Sequence, residues 1–555
     1  MSKRFEGLAH ERTIYAALAL LVVVVWLAVL PSRPLFNPDE GRYAEIPREM
    51  LVGGDWVIPH LDGLAYIEKP PLQYWATALC LRIFGTTVFA ARLYPALTAL
   101  GCLACVWWAA RRIWSAGAAR RATAVLASLS LYPVIGQLLS LDMSLTFFMT
   151  AALGGFLVAQ AGAPAASRGA MLLAWAAAAG GVLTKGLVAV AIPAAVLVLY
   201  TAIARDWSPW RRLHLRLGLP LFLVISVPWY WLAARRLPDF LEFFFVHEHF
   251  ARYLTNVADR EEAWWFFVPV FLAGSLPWTV AGLRVLATGW RRRGATGAFD
   301  ASLFLWIWVV FVVGFFSLSD SKLIPYVLPA MPALALLIGG SPLSVLRRDV
   351  LLAAALVLLA GVGLGVASFQ LPQWIAPSER SAYFLALAQP LRLIAAVLAV
   401  SAAFVLARRD RDPTGGAVFL GVGWCLALLL LIRAAAAVAP IYSGVGLAQA
   451  LEAEPRELPI YSVGTYDQTL PFYLRRTVAL VAYRGELDYG LRHPEAADKD
   501  ATPGFGSVAE FLPQWASAGN AFAIMDTEMV DEMTARGMPM RIVSRDVHRV
   551  LVARR

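Results

Sequence analysis

Ile14–Leu30 reads IYAALALLVVVVWLAVL, and Ser32–Gln73 reads SRPLFNPDEGRYAEIPREMLVGGDWVIPHLDGLAYIEKPPLQ. The first stretch is an apolar run of bilayer-spanning length. No A-x-A site follows it, so it is an uncleaved first helix rather than a signal peptide. The second stretch is a different material. An acidic pair, Asp39 and Glu40, sits in the turn-forming context Asn-Pro-Asp-Glu-Gly just past the helix end. Arg42, Arg48, Glu68 and Lys69 follow among Tyr, Trp and Pro. Opposite charges and aromatics gathered at a membrane surface suit a charged, amphipathic substrate. Tyr43, Ile46 and Met50 recur on one helical face, which predicts a helix lying on the membrane surface. Leu72–Phe84 is apolar but shorter than a span and predicts an interfacial or re-entrant helix.

Working outward, the chain of 555 residues is 59% hydrophobic and 15% charged, with mean hydropathy +0.63. A soluble chain carries roughly 25% charged residues, so the fold class is a polytopic α-helical membrane protein. Thirteen apolar segments are predicted: Ile14–Leu30, Val88–Ala110, Ala122–Leu138, Met143–Ala161, Gly169–Thr184, Leu187–Ile203, Leu217–Ala234, Trp264–Leu286, Leu303–Ser317, Leu323–Gly340, Val350–Phe369, Leu391–Ala407 and Ala417–Ile432. They must be helices, because hydrocarbon cannot satisfy free backbone polar groups. The basic clusters, among them Lys3/Arg4/Arg12, Arg111/Arg112, Arg211/Arg212, Arg291/Arg292/Arg293 and Arg408/Arg409, all fall on one side, which predicts a cytoplasmic N-terminus. An odd span count then places the tail outside. The net charge of +10 is absorbed in those loops, and no nucleic-acid-binding motif is present. Cys80, Cys102, Cys105 and Cys425 lie in apolar stretches and read as packing residues.

The expected organisation is a membrane domain over 1–438, containing a first outer loop at 32–87, and an outer α/β domain over 439–555. Strands are predicted at Pro459–Val463, Thr477–Ala482, Phe522–Met525, Met540–Val543 and Val547–Val552, with a capping box opening a helix at Ser507-Val-Ala-Glu510. The tail shows no catalytic motif and reads as a lid or docking module.

Several residues carry candidate chemistry on the outer side. Asp142, in LSLDMSL, is an isolated acid at the mouth of an apolar helix, costly unless it has a partner or a role. Lys69 is followed by Pro70 and Pro71, which fix its backbone. Lys322 lies in SLSDSKLIPY, and Arg252 follows HEHFARY. Each cation alone could simply snorkel; together they suit a phosphate attached to a lipid. His247-Glu248-His249 offers zinc-type ligands, with Glu68 and His249 the candidate metal pair. No cofactor is required by the residues otherwise. No Walker loop or dinucleotide fingerprint appears, so no nucleotide donor is expected. A lipid-carried donor would supply an enzyme working outside the cytoplasm.

NPDEGRYAEIPREML, GDWVIPHLDGLAYIEKPPLQYW and FSLSDSKLIPYVLPAMPALALLIG resemble the undecaprenyl phosphate-α-4-amino-4-deoxy-L-arabinose arabinosyltransferases of Gram-negative bacteria. These belong to the GT-C superfamily, with protein O-mannosyltransferases and oligosaccharyltransferases. The resemblance covers the first helix to about Gly340. It implies a GT-C membrane fold and transfer of aminoarabinose from undecaprenyl phosphate to a phosphate of lipid A, at the periplasmic face of the bacterial inner membrane, giving resistance to polymyxin and other cationic peptides. It implies a monomeric enzyme. It places the family's motif acid on Asp39 beside Glu40, its lysine on Lys69, a second acid on Asp142, and the last motif on Lys322 and Tyr326. Arg42, Arg252 and Lys322 would join Lys69 in stabilising the leaving phosphate. Tyr43 and Tyr66, with Trp56 and Trp75, would line the edge of the donor site. Asp39 is expected to position substrate rather than remove a proton, since an ionised acceptor phosphate has little proton to lose. In-line displacement would invert the anomeric centre.

Two other readings remain open at this level. A transferase of the same class could act on protein or another glycan. A lipid or sugar transporter would also have many spans, although no paired internal repeat is evident.

Overall fold

Apolar sequence becomes helix throughout, but not always as unbroken spans. The computed structural model describes residues 2–161, 164–251, 262–289, 299–376, 378, 381–409, 411–498, 502 and 504–554, without the side chains of 2–12, 164–166 and 249–251. The basic residues Lys3, Arg4, Arg12 and Arg291–Arg293 thus lie outside the described side chains. Among the described residues six helices are long and apolar enough to cross a membrane, or seven when the bent pair Phe267–Gly274 and Thr279–Gly289 counts as one. Four further apolar helices are shorter: Thr13–Val29, Val188–Ala204, Ala301–Ser317 and Ile324–Gly339. The multi-pass architecture stands; the count of about thirteen spans is not confirmed among the described residues.

Three of the predicted segments are broken. Ala122–Leu138 divides into helices Ala116–Ser128 and Leu131–Gly136. Trp264–Leu286 bends by 116° around Ser275–Trp278. Leu323–Gly340 starts as the 3-10 turn Ile324–Ala330 before Met331–Gly339. Pro277 and Pro329 explain two of the breaks, since each lacks the amide that would continue the ladder. The freed polar groups satisfy one another. Ser130 donates its backbone N–H to the Leu276 carbonyl at 3.0 Å, and the Trp278 indole donates to the Ser128 hydroxyl at 2.8 Å. Broken helix inside a membrane protein is tolerated where protein supplies such partners.

The chain forms two compact units. One comprises Met1–Leu30, Pro95–Leu371 and Ala388–Arg433; the other comprises Pro31–Tyr94, Pro372–Leu387 and Ala434–Arg555. The first outer loop, assigned to the membrane domain from sequence, groups instead with the tail.

In the second unit the tail carries a five-stranded sheet in the order β4-β3-β5-β7-β6. The strands are β3 (Ile460–Val463), β4 (Ala479–Val481), β5 (Phe522–Asp526), β6 (Met540–Arg545) and β7 (Arg549–Arg554). β3 runs parallel to β4 and β5, and β7 is antiparallel to β5 and β6. The predicted helix forms over Val508–Ser517, with the Ser507 hydroxyl accepting from the Glu510 amide. Its Phe511 and Trp515 pack with Val463, Val481, Met533 and Val552.

The first loop of the same unit corrects the expected surface helix. The Asp39–Gly53 helix is buried from Glu40 through Met50, charged residues included. It packs against the Leu72–Phe84 helix and the short tail helix Leu470–Leu474. A β-carbon on Gly41 would lie 2.4 Å from the Gln468 backbone, so only glycine permits this approach. Next, β1 (His60–Leu61) and β2 (Leu64–Ala65) form a hairpin. Its central residues Asp62 and Gly63 both have positive φ, 56° and 76°, as the Asp-Gly turn of a tight hairpin requires. The Glu49 carboxylate accepts both turn amides, at 2.7 and 2.9 Å. Asp62 Oδ1 accepts the Val478 amide of the tail at 2.8 Å.

The loop is pinned at its start by a buried three-residue ion cluster. Glu40 accepts from Arg33 at 2.6 Å and from Arg92 at 2.8 Å, and it also takes the Phe36 amide at 3.0 Å. Burial alone would push the Glu40 carboxyl up, but the guanidiniums of Arg92 and Arg33 hold it well below the usual carboxylate range. Glu40 therefore faces structural partners, which argues for a scaffold role rather than the expected catalytic one.

Two predictions follow from these buried charges. Glu40→Ala strands two guanidiniums out of water and is expected to cost about 3–5 kcal/mol. This should appear as lost folded yield and a lower melting temperature in detergent; unchanged melting would refute the scaffold role. Burial, with the Glu45 carboxylate nearby, raises the Asp62 pKa to about 8. A carboxyl raised on folding stabilises fully below its unfolded pKa of about 4, and that stability is lost as pH rises through about 8. Asp62→Asn, which also tolerates positive φ, should therefore melt higher than the parent above about pH 8, with the gap narrowing as pH falls below about 8 and closing only near about pH 4. Parallel pH profiles for the two proteins would contradict this.

Candidate active site

The predicted site residues fall into two clusters, one in each compact unit. In the outer-loop and tail unit, Arg42 is the centre. It projects from the first turns of the Asp39–Gly53 helix and is only 6% exposed. Its Nη2 donates to Asp39 Oδ1 at 2.9 Å, one helical turn away. Its Nη1 donates to the Tyr66 hydroxyl at 2.9 Å and is ion-paired with Glu486 Oε2 at 2.6 Å. Its Nε is buried without a partner among the described residues. Burial opposes the charge, but Tyr66, Tyr43, Glu486 and Asp39 outweigh it and raise the Arg42 pKa well above its usual value. The guanidinium is a permanent cation.

Aromatic residues wall this cluster. Arg42 lies 5.5 Å from the Tyr43 ring centre and 5.9 Å from that of Tyr66. Tyr43 and Tyr74 are neighbours at 6.1 Å, and the Tyr74 hydroxyl is buried with no partner among the described residues. Tyr43 and Tyr66 are thus inside the cluster. Trp75 and Trp56 are joined to each other: the Trp75 indole donates to the Trp56 carbonyl at 2.8 Å, and Trp56 is exposed.

Glu68 and Lys69 adjoin the cluster. Their side chains approach to 3.9 Å, and Lys69 Nζ donates to the Glu68 carbonyl at 2.9 Å. Burial raises the Glu486 pKa against the pull of Arg42, and the nearby Glu68 and Asp39 carboxylates add to the rise. Asp39 is the open member: its side chain is 51% exposed against 13% for Glu486. The resulting site offers a buried cation with unused donors, a lysine, a half-exposed carboxylate and aromatic walls. That set can hold an anion and position a polar group beside it.

The second cluster, in the membrane unit, joins Asp142, Lys185 and Tyr326. Lys185 Nζ donates to Asp142 Oδ1 at 2.5 Å and lies 5.0 Å from the Tyr326 ring centre. Lys322 turns into its own loop instead, donating to the Ser319 carbonyl at 2.6 Å. Arg252 and the side chain of His249 lie outside the described residues. Among the described residues, no group of three or more His, Cys, Asp or Glu side chains could hold a metal ion. His247 is paired with Glu248 at 3.6 Å.

Three residues were missed. Lys185 was visible as an isolated cation at the end of an apolar helix, the same signal that drew attention to Asp142. Glu486 and Gln468 had no signal; they belong to ordinary polar stretches of the tail, and only the fold brings them to Arg42.

Comparison with known proteins identifies the family of the chain. Residues 13–244 match the dolichyl-phosphate-mannose-protein mannosyltransferase family, and 447–554 match the aminoarabinose transferase C-terminal domain. The undecaprenyl phosphate-α-4-amino-4-deoxy-L-arabinose arabinosyl transferase of Pectobacterium atrosepticum is 31% identical, matched over 96% of both chains. Its counterpart from Aeromonas salmonicida is 31% identical over 88% of this chain and 89% of its own. The crystal structure of ArnT from Cupriavidus metallidurans bound to undecaprenyl phosphate superposes with TM-score 0.86 at 33% identity, over 97% of both chains. An Archaeoglobus fulgidus oligosaccharyltransferase shares the fold alone, with TM-score 0.51 and 13% identity over 93% of this chain and 70% of its own. The chain is a multi-pass membrane glycosyltransferase that belongs to the undecaprenyl phosphate-α-4-amino-4-deoxy-L-arabinose arabinosyl transferase family.

Proposed function

We propose that this protein transfers 4-amino-4-deoxy-L-arabinose from undecaprenyl phosphate to a phosphate of lipid A. The observation that carries the reading is Arg42: a buried guanidinium, held by Glu486, Tyr66 and Asp39, with a donor still unused. A buried polar donor without a partner is costly, and a phosphate oxygen would complete it. The donor for which the family is named, an undecaprenyl phosphate sugar, supplies such an oxygen.

In this reading Arg42 and Lys69 bind the carrier phosphate and stabilise its charge as the C–O bond to the sugar breaks. The acceptor phosphate oxygen attacks the anomeric carbon from the opposite face, forming the new C–O bond with inversion. Asp39, half-exposed beside Arg42, orients the sugar amine or the acceptor rather than taking a proton. The Asp142–Lys185 pair beneath Tyr326 offers a second carboxylate and cation for substrate groups. The exposed apolar residues Leu79, Ile83 and Phe84 of the Leu72–Phe84 helix suit a helix lying at a lipid boundary. The predicted orientation sets the reaction in the periplasmic leaflet of the inner membrane. A product carrying an added amine has less net negative charge, which weakens the attraction of polymyxin and other cationic peptides.

The test is transfer in vitro by the purified protein, followed by mass spectrometry of lipid A. The parent should add one aminopentose to lipid A. Lys69→Ala should lower the rate by about 10²–10³-fold, the usual consequence of losing one charge-stabilising donor, and Asp39→Asn should abolish transfer while the protein still inserts. Transfer to protein or another glycan, with none to lipid A, would overturn the acceptor; parental rates in both variants would overturn the site.

A further inference from the structure

We propose that Glu486, carried by the tail, is a positioning residue that aims the phosphate-binding edge of Arg42. The proposal rests on the reading of Arg42 as a carrier-phosphate ligand. It assigns an active-site role to a segment whose sequence shows no catalytic motif.

An arginine side chain has five N–H bonds in a fixed planar fork. In Arg42 the Nη1 end is occupied: it donates to the Tyr66 hydroxyl and is ion-paired with Glu486. Nη2 spends one on Asp39, and Nε spends none. The two ends of the guanidinium therefore differ. The Nη1 end is anchored by a carboxylate that is itself fixed, because Glu486 Oε1 accepts from the Gln468 side chain at 2.8 Å. The Nε–Nη2 edge meets only the half-exposed Asp39. That edge is the one that grips an oxyanion with two parallel bonds. A neighbour in the same helix shows it in use: Arg48 donates Nε and Nη2 to the two oxygens of Glu45, at 2.7 and 2.5 Å. Arg42 thus presents the same fork, half empty, while Glu486 holds the opposite end.

Glu486 also competes electrostatically with an incoming phosphate. Removing its charge while keeping its shape should loosen the aim of the fork and strengthen the attraction for an anion. Binding and turnover would then move in opposite directions, which a merely structural contact would not produce.

The experiment uses the full-length protein in lipid nanodiscs, with undecaprenyl phosphate alone as the binding probe and the complete transfer reaction for rate. Glu486→Gln should lower kcat by roughly tenfold or more, the scale of one charge-assisted hydrogen bond, with undecaprenyl phosphate bound as tightly as in the parent or tighter. Gln468→Ala, which frees the Glu486 carboxylate but keeps its charge, should lower kcat to a smaller extent and leave undecaprenyl phosphate binding unchanged. An unchanged kcat in Glu486→Gln would overturn the proposal, as would a parallel loss of binding, rate and melting temperature. Arg42→Ala separates the two levels. If it fails to weaken undecaprenyl phosphate binding, the phosphate reading of Arg42 falls and this inference with it. If it weakens binding while Glu486→Gln behaves as the parent, only the role of Glu486 falls.

Discussion

Charge taken out of water must find opposite charge, and the outer loop is built on that requirement. Within a single buried helix, Glu40, Arg42, Glu45, Arg48 and Glu49 are all removed from solvent. Unpaired, each would carry a penalty of several kcal/mol. Paired, they tie distant stretches of chain together. Glu40 is bound to Arg33 and to Arg92. Arg42 reaches Glu486, and Arg48 reaches the Arg475 carbonyl. The helix can be buried only if the loop and the tail assemble around it.

That arrangement suits the chemistry. A glycosyl transfer between phosphates has little for a general base to do and much for fixed charges to do. Charges on a surface loop would be screened and mobile. Here the central arginine is fixed by a helix, a tyrosine and a tail carboxylate, and only Asp39 keeps substantial exposure. The membrane unit repeats the device with Lys185 and Asp142. In both clusters the cation is already paired with a carboxylate, so its position is fixed by the fold.

Much of the fold could be read from the residues. Hydrophobic segments placed the helices, because bilayer length and backbone satisfaction leave few alternatives. The tail strands fell close to their predicted bounds, since alternating apolar residues between turn signals are a local pattern. Two features of the first loop were misread or missed. Tyr43, Ile46 and Met50 form a true helical stripe, but it could not reveal that the charged face is buried as well. The Leu61-Asp62-Gly63-Leu64 turn had a clear hairpin signal, Asp-Gly between apolar residues, overlooked beside the louder charges.

The sequence by itself determined a polytopic helical membrane protein with an acidic and basic outer loop, a mixed tail and an isolated acid at Asp142. These are local properties: hydropathy, spacing, and residue type at a helix end. Only the tertiary structure decided which charges are buried among partners and which stay exposed. Adjacent in the chain, Asp39 stays half-exposed while Glu40 is locked between two arginines. It also decided that Glu486 and Gln468 stand beside Arg42. The physical reason is that the effect of a charge depends on its desolvation and on its neighbours in space, and neither is encoded by its neighbours in sequence.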